Sequence, residues 1–100
     1  MIMNYPKQGT KVASGGTASI TIPAIHGIIR QILVKPSVSS TTFDLKLTDI
    51  YSMEVFEDTN LTGLFNHFTE IPCYGNWTLT ISNSSVLAET FTYLVVIQEF

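Results

Sequence analysis

Cysteine and charged residues are both scarce in this sequence. Cys73 is the single cysteine among 100 residues, so no disulfide can form within the chain. This excludes the small secreted scaffolds that several disulfides hold together. Charged residues make up 13% of the chain, against about 25% in an average globular domain. Hydrophobic residues reach 45%, and because disordered chains show the opposite balance, the composition predicts a folded domain with a weakly charged surface.

Positive charge is particularly scarce. Five Lys and Arg stand against eight Asp and Glu, and no basic cluster exists that would neutralise phosphates, so nucleic acid is not a predicted ligand. Residues 1–43 contain four of the five cations and no acid, whereas residues 44–100 contain the fifth cation, Lys46, and all eight acids. Two interpretations stay open: chance in a short chain, or copies that pack with opposite potentials facing each other.

Long apolar segments are absent as well. No run approaches the ~18–20 residues that a membrane-spanning helix needs. Residues 1–6 have neither the basic start nor the apolar stretch of a signal peptide. We therefore expect a protein that is made in a reducing cytoplasm, is not secreted through a signal peptide and does not bind membranes.

The clearest pattern present is an alternation of apolar and polar residues, which is typical of strands with one buried face. Residues 17–22 alternate cleanly, and residues 41–48 place Phe43, Leu45 and Leu47 on one side. Apolar residues occur in both phases of the runs 28–35 and 90–98, which predicts strands that are covered on both faces. Two further strands are predicted over residues 53–56 and 76–82.

Between these runs lie residues that favour turns, such as Gly15-Gly16 and Gly75-Asn76. The segment 61–68 has apolar residues at helical spacing but is too short to predict a full helix, so a single helical turn or a bulged strand would both fit. Six or seven strands predict an all-β fold, an antiparallel two-sheet β-sandwich over residues 13–100. Residues 1–12 contain more apolar side chains than a free tail usually has. We therefore predict that they form an N-terminal arm that docks onto a partner or a neighbouring copy.

Residues suited to catalysis are few. The two histidines are His26 and His67, and neither belongs to a recognisable triad or to a Gly-x-Ser-x-Gly turn. A nucleophilic cysteine needs a nearby base, and a Cys73–His67 pair is conceivable. A partly buried, small apolar Cys73 is the preferred interpretation. We expect the chain to be no enzyme.

Metal and cofactor sites are not predicted either. Zinc prefers several His and Cys ligands, and the chain has too few at ligand spacing. Calcium prefers clustered oxygen ligands, and five carboxylates do lie close together in sequence: Asp44, Asp49, Glu54, Glu57 and Asp58. A solvated acidic face is the favoured interpretation of this cluster. No glycine-rich phosphate loop is present.

Most aromatic residues fall at inward-facing strand positions and are predicted to form the core. Tyr5, Tyr51 and Tyr74 fall outside the predicted strands, and tyrosine is frequent at protein interfaces. Together with the apolar residues of the arm, they form a set of interface candidates: Met1, Ile2, Met3, Tyr5, Tyr51 and Tyr74.

Two stretches resemble known folds. Residues 75–83, Gly-Asn-Trp-Thr-Leu-Thr-Ile-Ser-Asn, resemble the glycine-x-aromatic-threonine-leucine strand of jelly-roll-like β-sandwich modules. Such modules occur beside secreted proteases and in carbohydrate-binding domains. Residues 42–47 resemble the strand that commonly faces it. These motifs cover less than a fifth of the chain, and they imply a jelly-roll-like sandwich.

A wider pattern resembles short virion proteins of tailed phages, and its segments are 28–37, 43–49 and 61–63. The resemblance extends over residues 17–98. It implies a non-enzymatic structural protein of the bacteriophage virion, most simply a capsid decoration (cement) protein. Such proteins typically form trimers on the three-fold axes of the shell and clamp neighbouring subunits, so the implied partner is the major capsid protein or another virion subunit. The alternatives are a carbohydrate-binding or adhesion module, and a head–tail or tail subunit.

Overall fold

The structure, a computed structural model, describes residues 2–4, 8–22 and 26–99. The described residues form nine β-strands and contain no helix. The strands are β1 (Ile2–Asn4), β2 (Gln8–Val12), β3 (Thr17–Ile22), β4 (Gly27–Pro36), β5 (Thr42–Thr48), β6 (Glu54–Thr62), β7 (Phe65–Cys73), β8 (Trp77–Asn83) and β9 (Glu89–Glu99). Within these ranges, no helix is present that is long and apolar enough to cross a membrane.

The strands form two sheets in which every pairing is antiparallel. In the larger sheet β9 pairs with β4 and β4 pairs with β7, while β1 and β2 pair one after the other along the free side of β9. The smaller sheet has the order β3-β8-β5-β6. With β1 and β2 at one edge position, each sheet has four positions, and this order is that of the jelly roll. The predicted all-β, antiparallel, jelly-roll-like sandwich is confirmed.

The core lies between the sheets and is built by the alternation that the sequence shows. Buried residues occupy every second position of β5, β8 and β9, and fully buried Phe43 of one sheet meets Phe91 of the other. The two ring centroids are 5.3 Å apart in an edge-to-face arrangement, which aromatic pairs favour. Burying such a side chain contributes about 1.5–3 kcal/mol.

The region that showed helical spacing consists of strands. β6 continues to Thr62, Gly63 turns the chain at a φ of 75°, and β7 begins at Phe65. Neither predicted alternative describes this segment, which is the turn between two strands. The bulge in the pairing of β5 with β6 lies just before it, near Asn60, whose φ is 56°. Glu57, Asp58 and His67 fall outside the strands predicted from alternation, and the structure places them on β6 and β7.

The outer face of the larger sheet differs from the prediction. The runs 28–35 and 90–98 were predicted to be covered on both sides, yet no described element lies over the outer side of this sheet. Leu33 and Leu94, which face each other in the β4–β9 register, are only half-buried there. Phe68 on the neighbouring strand is 71% exposed. An apolar surface is thus left open.

The described parts of the predicted N-terminal arm pair with the same chain. β1 lies beside residues 96–98 of β9, and β2 lies beside residues 89–93. Val12 at the end of β2 is 2% exposed and belongs to the core. These residues therefore add an edge to the larger sheet.

A buried amide ties together two loops at one end of the sandwich. Asn83 is 2% exposed, and its Nδ2 donates to the carbonyl oxygens of Val12 at 3.0 Å, Ala13 at 3.3 Å and Leu87 at 2.9 Å. Its Oδ1 accepts a hydrogen bond from the backbone N–H of Ser85 at 2.9 Å. The β2–β3 and β8–β9 connections are thus held by one side chain.

Replacing this amide tests its role. We expect Asn83→Ala to lower the free energy of unfolding by about 2–4 kcal/mol, because several buried hydrogen bonds are lost together. Asn83→Asp should be at least as damaging, since a carboxylate would face three carbonyl oxygens. Urea unfolding measures both, with Ser84→Ala at the exposed neighbouring position as the control. An Asn83→Ala protein as stable as the control would contradict this role.

Candidate binding groove at one end of the sandwich

Three connections meet at the end opposite Asn83. They are the approach to β4 at His26, the β5–β6 loop of residues 49–53 and the β7–β8 loop of residues 74–76. A groove of about 430 Å³ lies between them. Its lining is largely apolar and aromatic: His26, Gly27, Asp49, Ile50, Tyr51, Pro72, Cys73, Tyr74 and Trp77. Binding pockets are typically concave and apolar with a few polar groups, and the groove has this composition.

The β5–β6 loop is held by Asp49. Its Oδ1 accepts hydrogen bonds from the backbone N–H groups of Tyr51 at 2.8 Å and Met53 at 3.0 Å. The N–H of Ser52 donates to the carbonyl oxygen of Asp49 at 3.0 Å, and Ser52 adopts a positive φ of 60°. An aspartate that accepts from the backbone two residues later is a frequent stabiliser of turns. The loop therefore presents Tyr51 in a defined position, with 77% of its surface exposed.

The β7–β8 loop approaches the first loop closely at Gly75. Gly75 has a φ of 79°, which favours glycine. A Cβ added there would also lie 2.4 Å from Cγ2 of Ile50. The indole Nε1–H of buried Trp77 donates to the carbonyl oxygen of Tyr74 at 3.0 Å. Both loops are thus fixed relative to each other and to the core.

Two aromatic rings stack at the rim. Tyr74 is 62% exposed, and its ring lies beside the imidazole of His26, with centroids 4.4 Å apart and planes inclined by 31°. The contact supports one side of the Tyr74 ring. A partner that covers the groove therefore does not have to restrict this side chain further.

The floor of the groove contains Cys73. It is 7% exposed, and burial raises the pKa of its thiol, an effect that a hydrogen bond with the backbone of Gly27 partly opposes. The thiol is therefore neutral near pH 7. His67 lies six residues earlier on the same strand, which corresponds to ~20 Å, so the two side chains do not form a nucleophile–base pair. The interpretation of Cys73 as a buried apolar residue is confirmed.

The acidic residues do not gather around the groove. Within the described ranges, no three His, Cys, Asp or Glu side chains come together as metal ligands. Asp44 lies on β5, where its Oδ1 accepts from the backbone N–H of Asn60 at 2.8 Å. Glu54, Glu57 and Asp58 lie exposed along β6.

The structure brings together two of the six interface candidates. Tyr51 and Tyr74 both line the groove. Ile2 and Met3 lie on β1 at the edge of the larger sheet, whereas Met1 and Tyr5 lie outside the described residues. The sequence did not predict His26, Ile50 or Pro72 as interface residues. Each sits beside a turn, but their proximity follows from the strand order, which a single sequence does not show.

Comparisons with known proteins address the fold. No known protein family matches the sequence, and no curated protein matches it. Among solved structures, the periplasmic inhibitor PliG of g-type lysozyme from Aeromonas hydrophila is similar, with a TM-score of 0.65 and 14% identity over 95% of this chain and 86% of that chain. The Yersinia pseudotuberculosis-derived mitogen has a TM-score of 0.66 and 11% identity over 100% of this chain and 88% of that chain.

A weaker similarity involves a phage protein. The enzymatically active domain of tailspike protein 4 from bacteriophage CBA120 has a TM-score of 0.48 and 11% identity, over 98% of this chain and 19% of that chain. This score is too low to support an inference. The stronger similarities, at identities of 14% and 11%, show a shared β-sandwich fold.

Substitutions at two glycines allow the cost of backbone strain to be measured separately from the cost of steric contact. Gly75 and Gly15 both have a positive φ, but a Cβ at Gly15 would meet no atom within 4 Å. Gly15→Ala should cost about 1–2 kcal/mol of unfolding free energy from conformation alone. Gly75→Ala should cost about 1–3 kcal/mol more, because the loops at the groove are forced apart.

A double-substitution cycle completes this test. Adding Ile50→Ala removes the contacting atom, so the extra cost of Gly75→Ala over Gly15→Ala should largely disappear in urea unfolding. Equal costs for both glycine substitutions would show that the two loops are not in tight contact.

The raised pKa of Cys73 makes it a reporter for the groove. The thiolate is the reactive form of cysteine, so alkylation of Cys73 by iodoacetamide should be slow at about pH 7. As the pH is raised, the rate should begin to increase at a higher pH in the folded protein than in the urea-unfolded protein. Rates measured by mass spectrometry across the pH range check this. Identical pH profiles for folded and unfolded protein would mean that burial does not control the thiol.

Proposed function

We propose that this chain is a non-enzymatic structural protein of a tailed-phage virion, a decoration protein that attaches to the outer shell through the groove at one end of the sandwich. The observation that carries this proposal is the pair of exposed tyrosines, Tyr51 and Tyr74, which flank an apolar groove on two fixed loops. The partner is the major capsid protein or another virion subunit.

The energetics of the groove suit attachment to another protein. Tyrosines in well-packed positions dominate many interfaces, and here each is largely exposed in the free chain. Asp49 holds one loop by two hydrogen bonds, and Gly75 fits the other loop against Ile50. Since the loops are already ordered, docking loses little conformational entropy.

The fold and composition agree with this role. Jelly rolls occur in viral capsid domains and in lectins, although a fold by itself does not set a function. A sandwich of similar fold belongs, by its name, to an inhibitor of lysozyme, so recognition of another protein is the mode that we carry over. The low charged fraction of 13% suits lasting contact with a partner, because charged residues are depleted in interface cores.

Assembly as a trimer would strengthen attachment. Three copies on a three-fold axis of the shell would present three grooves at once, and linked sites bind more tightly than one alone. Each copy would then contact a different capsid subunit, which is how a decoration protein stabilises neighbouring subunits against separation.

The tyrosines provide the test. We expect the double variant Tyr51→Ser/Tyr74→Ser to bind particles that lack the protein at least ~100-fold more weakly, since each interface tyrosine typically contributes about 2 kcal/mol. Co-sedimentation with such particles measures the affinity. The control is Val86→Ser/Leu87→Ser, which removes two exposed apolar residues at the opposite end. Unchanged binding of the tyrosine variant together with lost binding of the control would overturn the proposal.

A carbohydrate-binding module is the second candidate. Exposed tyrosine rings beside a carboxylate form a surface on which a sugar ring stacks and its hydroxyls hydrogen-bond, and Asp49 lines the groove with Tyr51 and Tyr74. Titration with polysaccharides separates the candidates. Polysaccharide binding that the tyrosine variant loses, without any affinity for particles, would favour this second function.

A further inference from the structure

Two surfaces of the sandwich carry opposite charge. The first, which we call the basic face, is the outer side of the larger sheet and includes Lys11 on β2 and both Arg30 and Lys35 on β4. The second, which we call the acidic edge, comprises Met53, the last residue of the β5–β6 loop, and residues 54–58 of β6, an edge strand of the smaller sheet. Neither surface includes the two tyrosines at the groove.

The basic face has an apolar centre between its cations. In the sheet register Lys11 lies opposite Thr90 and Lys35 lies opposite Thr92, so the two lysines flank β9 from either side. Arg30 donates from Nη1 to Oε1 of Glu70 at 2.8 Å, which compensates its charge. Lys11 and Lys35 are exposed, and neither forms an ion pair with a described residue.

The apolar centre of this face consists of outward-facing side chains that no second layer of the fold covers. Leu33 and Leu94 are direct neighbours across β4 and β9, and Val96 follows on the same side. Phe68 on β7 adds the most exposed ring of this sheet. Leu33, Leu94 and Val96 are half-buried, and Gln31 lies between Val96 and Phe68 in the register. Apolar side chains left open on a sheet face can contribute to an interaction site.

The acidic edge combines the complementary features. Glu54, Glu57 and Asp58 are all exposed. Between and beside them, Met53 is 65% exposed and Val55 is 42% exposed. The edge therefore offers carboxylates and apolar side chains within six consecutive residues, with Lys46 opposite Glu57 as its neighbouring cation. The basic face offers ammonium groups around apolar side chains.

We infer that the acidic edge of one copy of this chain docks onto the basic face of a second copy. Charge complementarity selects this pairing, because two basic faces or two acidic edges in contact would bring like charges together. The segregation of charge along the chain, for which the sequence left two interpretations open, is thus partly kept in the fold: three of the eight acids lie on the acidic edge, whereas Glu70 lies beside Arg30 on the basic face.

The positions of the two surfaces determine the form of the assembly. A heterologous contact forms a closed ring if the rotation between copies closes, and a fibre if it does not. The edge of a sheet is roughly perpendicular to its face, so each contact turns the next copy through a large angle, which favours a small ring over a stack. This inference rests on the proposed assembly role and identifies the surfaces that would form a trimer.

Charge reversal tests the contact. Light scattering and sedimentation of the full chain should show an oligomer whose dissociation constant rises at least ~10-fold from low to high salt. Lys11→Glu/Lys35→Glu should weaken association ~10-fold or more, and so should Glu54→Lys/Glu57→Lys. The variant with all four substitutions reverses both surfaces, so its association should return to within a few-fold of the original.

A matched control separates the surface from net charge. Ser19→Glu/Thr21→Glu changes the net charge by as much as Lys35→Glu, but at exposed positions of β3, at the edge of the smaller sheet away from β6. It should leave the mass unchanged. A chain that is monomeric at low salt, or reversals that do not affect the oligomer, would overturn the inference.

The two proposals fail separately. A monomer that still binds particles through Tyr51 and Tyr74 would overturn the contact between copies and leave attachment to the shell in place. An oligomer that responds to charge reversal but binds no particle would support the contact and overturn the virion role.

Discussion

The burial of one face of each strand between two sheets is the constraint on which the rest of the molecule depends. Alternating apolar residues of β5, β8 and β9 must face the same interior, and the contact of Phe43 with Phe91 joins the sheets there. Since a shift of one residue would turn every buried side chain outward, the register is fixed. Once the antiparallel register is fixed, alternate connections must lie at opposite ends, which brings the loops at residues 49–53 and 74–76 together.

The strands that were predicted well are those with two neighbours in a sheet. β5 and β8 are central in the smaller sheet, and their inner residues had to be apolar, so the alternation was visible. Edge strands escape this requirement: β6 is exposed along most of its length, and β7 has His67 and Thr69 at inner positions, half-buried. The sequence therefore underestimated β6 and left β7 ambiguous. Residues 8–12 were too short a segment to show alternation, and their pairing with β9 is a long-range effect.

Two residues of the candidate site, Tyr51 and Tyr74, were predictable from the sequence, but the arrangement of the site was not. Tyr51 and Tyr74 stood out because a large aromatic residue outside a strand lacks an obvious place in the core. Their proximity depends on the order of strands in two sheets, which local patterns do not encode. The charge pattern behaves similarly. The asymmetry of charge along the chain was visible in the sequence. Where the charges lie on the surface depends on β4 and β5 belonging to different sheets, which the sequence did not show.

The buried amide of Asn83 gives the molecule two unlike ends. At its own end, one side chain binds backbone oxygens from two connections, so those loops are tied to the integrity of the fold. At the opposite end, the contacts that shape the groove are made mostly within and between the loops themselves, as with Asp49 and Gly75. Loop sequences at the groove end can therefore be exchanged without disturbing the core or the far end. The same division makes the sandwich a natural scaffold for grafting new recognition loops.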